Sequence, residues 1–145
     1  MKISGAITVN STQEKVAHFF ADPQYLKYYQ DGFIRKERVS GTVGQEGAIA
    51  MLYYQNGRHT IDLEETITKN ELPNLFEAKY HHKHMDNTMK CRFVAINDHQ
   101  TRYEYEYLYT RMTLMPKIMS WINPGMFSKP PKKWLQQFKE FVEKQ

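Results

Sequence analysis

The residues able to do chemistry in this chain are few, and they cluster in its middle. Glu65 sits between Leu63 and Ile67 in a segment of alternating apolar residues, so strand geometry sends its carboxylate to the same face as theirs. A carboxylate on an apolar face is driven toward its neutral form unless a cation or hydrogen-bond donors stabilise the charge. Either state is useful, as a general acid or as an anchor that orients a ligand. A bulge or a mouth position would instead leave Glu65 in water, as most glutamates are. Tyr103, Tyr105, Tyr107 and Tyr109 recur at two-residue spacing, which lines their hydroxyls along one strand face. Such a ladder can hold a ligand carbonyl or phenol, and it can equally serve as packing.

His82 and Cys91 share a strand face and could form a thiol and its base. A lone buried cysteine more often behaves as a small apolar residue, and no helix terminus is evident to lower its pKa. His81, His82 and His84 look like metal ligands on paper, but alternation turns His81 away from the other two. Two ligands remain where a catalytic zinc commonly has three, so neither a metal nor a cofactor is expected. Lys129, Lys132, Lys133, Lys139 and Lys144 surround Trp134 and Phe138 and would suit a membrane-surface helix. Glu140 and Glu143 dilute that basic side, and covering a sheet is the simpler use of the apolar face.

These side chains need a scaffold, and the spacing of apolar residues outlines one. Ile3, Gly5, Ile7 and Val9 alternate with Ser4, Ala6 and Thr8 as a strand. Ser11 and Glu14 make a capping box for a helix bearing Val16, Phe19 and Phe20. Asp22-Pro23 restarts the chain as a short second helix that ends at Asp31-Gly32. Residues 33 to 110 read as strands and turns. Asn56-Gly57 predicts a type I′ hairpin pairing Gln55 with Arg58, so that one face collects Ala48, Ala50, Leu52, Tyr54, Ile61, Leu63 and Ile67, with Glu65 opposite Ala48. A turn at Asp86-Asn87 sets His82 opposite Cys91 and Tyr80 opposite Phe93, and gives an inner set of Phe76, Ala78, Tyr80, His82, Met89, Cys91, Phe93 and Ala95. A loop at residues 98 to 100 sets Phe93 opposite Tyr105 and pairs Arg92 with Glu106 on the outer face. Leu114, Ile118, Trp121 and Ile122 are helical in spacing, Pro124-Gly125 and Pro130-Pro131 make a bend or lid, and Ser128 caps a last helix carrying Trp134, Leu135, Phe138, Phe141 and Val142.

Composition agrees with a single α+β domain over residues 1–145: 145 residues can bury one core, and 41% hydrophobic with 25% charged residues is globular. No apolar run approaches the ~18 residues of a membrane span, so stable insertion is not expected. Without a secretory signal at the N-terminus and with one cysteine, the expected location is cytoplasmic. A net charge of +4, with 16 acidic residues interspersed, implies no nucleic-acid partner. The 10 Tyr, 8 Phe and 2 Trp suit a pocket with a few polar contacts. Oligomeric state is left open.

The order of one strand, two short helices, about six strands and a terminal amphipathic helix resembles the START-like helix-grip superfamily, also called SRPBCC, which includes polyketide cyclase and dehydrase-like proteins. Residues Ile7 to Val16 resemble the family's opening strand and helix, Asp22-Pro23 falls where its second helix begins, and Val43-Gly44-Gln45-Glu46-Gly47 resembles its glycine-marked turn between the second and third strands. The proline-broken approach to the last helix departs from the usual pattern. The resemblance implies a curved antiparallel sheet of six to seven strands gripping the long C-terminal helix around a hydrophobic cavity. Family members use that cavity for lipids, hormones, polyketides or quinones; some cyclise, others act on a chaperone or carry a metal centre.

Three readings follow. The first is a binding protein for a small hydrophobic, aromatic or lipid-like molecule, contacted by Tyr54, Glu65, Tyr80, His82, Tyr105, Tyr107, Trp121, Trp134 and Phe138, with Met126 beside Trp121 at the mouth. The second is a cyclase- or dehydratase-like enzyme, with no catalytic residue assignable beyond an enclosed acid and tyrosine hydroxyls. The third is an interaction domain acting on a chaperone or quinone-linked partner, which needs a filled core and an exposed apolar patch.

Overall fold

The computed structural model describes residues 1–145. The chain runs β1 (Lys2–Val9), α1 (Gln13–Ala21), a 3-10 turn (Pro23–Tyr25), α2 (Leu26–Tyr29), β2 (Phe33–Ser40), β3 (Ile49–Asn56), β4 (His59–Glu71), β5 (Leu75–His82), β6 (Met85–Asn97), β7 (Gln100–Met112), α3 (Leu114–Ile122), a second 3-10 turn (Pro124–Met126) and α4 (Lys129–Glu143). The strands form one antiparallel sheet in the order β1-β7-β6-β5-β4-β3-β2. Consecutive strands from β2 to β7 are neighbours, and β1 closes the far edge against β7.

All three hairpins form with their predicted faces; two turn elsewhere than predicted, and the third turns within residues 98 to 100 but is one residue shorter. The β3–β4 turn is Gly57-Arg58, with Asn56 paired to His59. A type I′ turn at Asn56-Gly57 needs positive φ at both residues, whereas only Gly57 has it, at 61°. Glycine therefore takes the first central position, as type II′ turns require. The partner of Glu65 becomes Ala50 instead of Ala48. The β5–β6 turn is Lys83-His84 and not Asp86-Asn87, so His82 pairs with Met85, Tyr80 with Asn87 and Phe76 with Cys91. Asp86 is held in the strand by Arg111 of β7, whose Nε donates to Oδ2 at 2.8 Å. The β6–β7 turn is Asp98-His99, where Asn97 Oδ1 accepts from the His99 backbone N–H at 2.8 Å in an Asx turn. A bulge between Ala95 and Asn97 leaves Ala95 exposed, and the pairs become Phe93 with Tyr103, Cys91 with Tyr105 and Arg92 with Glu104. Each displacement is an even number of residues in pairing, so the paired strands keep their inner faces.

The helix ends also differ in detail. Thr12, not Ser11, caps α1, its Oγ1 accepting from the Lys15 backbone N–H at 3.2 Å. Asp22 Oδ1 accepts from the Gln24 N–H at 3.0 Å and starts the second helical segment as expected. Ser128 occupies the N-cap position of α4, but its hydroxyl donates to the Gly125 carbonyl, and prolines in the first turn set the helix direction. The α4 face of Leu135, Phe138 and Val142 is buried in the main core. Phe138 meets Tyr29 and Tyr103 edge-on with centroids 4.8 and 5.4 Å away. Burying such a side chain stabilises by roughly 1.5–3 kcal/mol, enough to keep α4 seated along much of its length.

Candidate functional site

Between α4 and the inner face of the sheet lies a cavity of about 320 Å³. Of its 31 lining residues 22 are hydrophobic, so water would be poorly held there and an apolar guest well held. An apolar void of about 150 Å³ suffices for benzene, which makes this one roomy enough for a two-ring aromatic or a short lipid tail. The lining reaches the surface at Val43 in the β2–β3 connection and at Pro130 where α4 begins.

Glu65 is the polar centre of that cavity, 5% exposed on β4. Its Oε1 accepts from Lys36 Nζ at 2.8 Å and its Oε2 from Tyr80 Oη at 2.7 Å, so both oxygens are satisfied. Lys36 arrives from β2, where it pairs with Leu52 and lies diagonally across β3 from Glu65. Ala50, the partner of Glu65 on β3, is small enough to leave that path open. Burial and the Glu65 charge hold the Tyr80 hydroxyl well above its ordinary range, so it remains a donor at any physiological pH. With its proton given to Glu65, the Tyr80 oxygen can still accept, and Lys36 has further N–H donors. An incoming hydroxyl or carbonyl therefore meets both a donor and an acceptor.

The tyrosine ladder stands on β7, three strands from Glu65. Tyr103, Tyr105, Tyr107 and Tyr109 all line the cavity. Tyr105 lies over Gly5 of β1, so close that a Cβ there would come within 2.7 Å of the ring. Its buried hydroxyl has no hydrogen-bond partner in the protein, which leaves a donor available to a guest. Burial holds the Tyr103 and Tyr107 hydroxyls well above their usual range. Tyr54 Oη donates to Gln30 Oε1 at 2.8 Å, and its ring stacks on Trp134 at 5.8 Å, joining β3 to α4 across the cavity. Tyr54, Tyr80, Tyr105, Tyr107, Trp134 and Phe138 thus line the same cavity as Glu65, and so does Met126.

His82 and Trp121 do not. The shorter β5–β6 hairpin carries His82 to the sheet end, where its Nδ1 accepts from the His84 backbone N–H at 3.2 Å. Its ring lies beside His84, and desolvation lowers its pKa. Cys91 pairs with Phe76 and Tyr105 rather than His82, and burial pushes its thiol up to about 12, so no thiolate–imidazole pair forms. Trp121 is 83% exposed because α3 turns its apolar stripe away from the body. Among the polar lining residues, sequence reasoning missed Gln30, Lys36, Asn70 and Asn87. The cue for Lys36 was Glu65 itself, since a buried carboxylate demands a cation nearby. Asn87 was hidden by the misplaced turn.

None of the protein-family models matches the sequence, and neither does any curated protein. Solved structures do match. The Zhui aromatase/cyclase from a Streptomyces species aligns over 99% of this chain and 94% of its own, with a TM-score of 0.81 at 10% identity. A conserved protein from Geobacillus kaustophilus covers 99% and 96% with a TM-score of 0.79 at 16% identity. Ara h 8.0201 covers 100% and 99% with a TM-score of 0.74 at 8% identity. The fold is the START-like helix grip. In this helix grip the sheet has seven strands and the gripped element is α4. At such low identities the likeness is one of backbone, and the chemistry of the cavity has to be read from this chain's own residues.

Proposed function

We propose that this protein binds a small hydrophobic, aromatic or lipid-like molecule with one polar end, holding it between the sheet and α4. The observation that carries the reading is the buried Glu65 carboxylate, held by Lys36 and Tyr80, in a mainly apolar cavity of about 320 Å³. Affinity would come from apolar burial, and orientation from Glu65, Tyr80 and the unpartnered Tyr105 hydroxyl. The test is native mass spectrometry of the purified protein followed by organic extraction. A stoichiometric apolar guest, together with a rise in Tm on adding aromatic compounds, is the expected result. Failure of apolar probes to bind or to shift Tm sinks the reading.

A cyclase- or dehydratase-like activity is the second reading, supported by the enclosed carboxylate and tyrosine hydroxyls and by the likeness of backbone to the Zhui aromatase/cyclase. In that case a further N–H of Lys36 would donate to a substrate carbonyl while Glu65 moved a proton at the adjacent carbon. Glu65→Gln would then abolish turnover while the domain stayed folded and still bound its guest. Retained turnover in that variant would reject Glu65 as the proton carrier.

A further inference from the structure

We propose that α3 is a membrane-docking element, which lays the protein on an anionic bilayer surface with the α4 end of its cavity beside the lipid. The helix is built the wrong way round for a domain in water. At 3.6 residues per turn Leu114, Ile118, Trp121 and Ile122 share one stripe, and the opposite side carries Pro116 and Ser120. Pro116 is the buried residue of α3, whereas Leu114, Trp121 and Ile122 are 72%, 83% and 77% exposed. A helix seated on its own core shows the reverse pattern. Contiguous exposed apolar surface of this kind marks an interaction site, and tryptophan is favoured where one side is apolar and the other wet.

Charge identifies the partner. From Tyr107 to Lys139 the chain contains no Asp or Glu, but it contains Arg111, Lys117, Lys129, Lys132, Lys133 and Lys139. Arg111, Lys133 and Lys139 are paired with Asp86, Asp31 and Glu143, while Lys117, Lys129 and Lys132 form no ion pair. Lys83, also without an ion pair, stands close to the same helix, because the carbonyl of its neighbour His84 accepts from the Thr113 N–H at the start of α3. Two copies of this chain meeting through α3 would bring these lysines together, whereas anionic headgroups neutralise them. With nine residues α3 spans about 13 Å, far short of a ~30 Å hydrocarbon core, so it lies in the plane of the interface. Its last residue leads through the Pro124–Met126 turn directly into Met126 and Pro130 of the cavity lining.

Docking through α3 holds whatever the cavity binds, and vesicle co-sedimentation tests it. The full chain should sediment with phosphatidylglycerol–phosphatidylcholine vesicles at least about tenfold more tightly than with pure phosphatidylcholine, and less tightly as salt rises. The variant Ile118→Ser/Trp121→Ser/Ile122→Ser should lose sedimentation with unchanged Tm, since none of the three is buried. Lys117→Glu/Lys132→Glu should lose only the preference for anionic lipid. Tryptophan emission should shift to the blue with vesicles, and not in Trp121→Phe. Absence of binding to anionic vesicles, or equal binding by the serine variant, overturns the proposal. So does a concentration-dependent dimer that the serine variant abolishes, which would assign α3 to a second copy.

Discussion

At the scale of single residues, the arrangement around Glu65 is a matter of electrostatics in a dry place. Taking a carboxylate and an ammonium out of water is costly, and removing one partner leaves the other uncompensated. Lys36→Met should therefore destabilise the fold by about 3 kcal/mol in urea unfolding, whereas the double variant Lys36→Met/Glu65→Leu should recover most of that loss. A double variant as unstable as the single one would show that the pair is not coupled. Asp86 behaves differently because it is close to solvent. Arg111 first, then His81, hold its carboxyl at about 2, below the ordinary 3.8. A folded-state pKa below the unfolded one adds stability above about pH 4, lost as pH falls toward 2. The Tm gap between the protein and Asp86→Asn should be present at neutral pH and close across that window.

At the scale of elements, the turns and the last helix carry the consequences. Gly57 has φ at 61°, a region an L side chain enters only with strain. Gly57→Val should therefore cost on the order of 1–2 kcal/mol and loosen the hairpin that presents Glu65. Gly5 matters for another reason. Gly5→Val would push into the Tyr105 ring, and the expected outcome is weaker binding of aromatic probes with a smaller change in Tm. In α4, Phe138 is 2% exposed and touches both a helix and the sheet. Phe138→Ala should cost about 3–5 kcal/mol by chemical denaturation. No helix is long and apolar enough to cross a membrane, so whatever α3 does at a bilayer it does from one side.

At the scale of the whole molecule, a void of this size is a stability cost that a guest can offset. A cavity-filling ligand present at a hundred times its Kd should add about 2.7 kcal/mol to unfolding free energy, read as a rise in Tm. Narrowing the void from α4, as in Leu135→Trp, should weaken that response while leaving the α3 surface untouched.

Away from the bulge at Ala95, the alternation of apolar residues alone determined which strand side chains look inward, including the tyrosine ladder and the face of Glu65. It did so because a strand has a strict period of two, which survives every turn error made in even steps. The helix grip was legible as a resemblance to the START-like superfamily, carried by the order of the elements, and it gives the sheet and the long amphipathic helix a way to bury their apolar faces. Which inward residues meet was decided only by tertiary structure. Turn positions depend on contacts such as Asp86 with Arg111, made 25 residues apart, and these moved His82 out of the cavity. Lys36 reaches Glu65 across a neighbouring strand, a diagonal that no local pattern encodes. The stripe of α3 was legible as helix, but its direction was not, because periodicity shows that a face is apolar and not what lies against it.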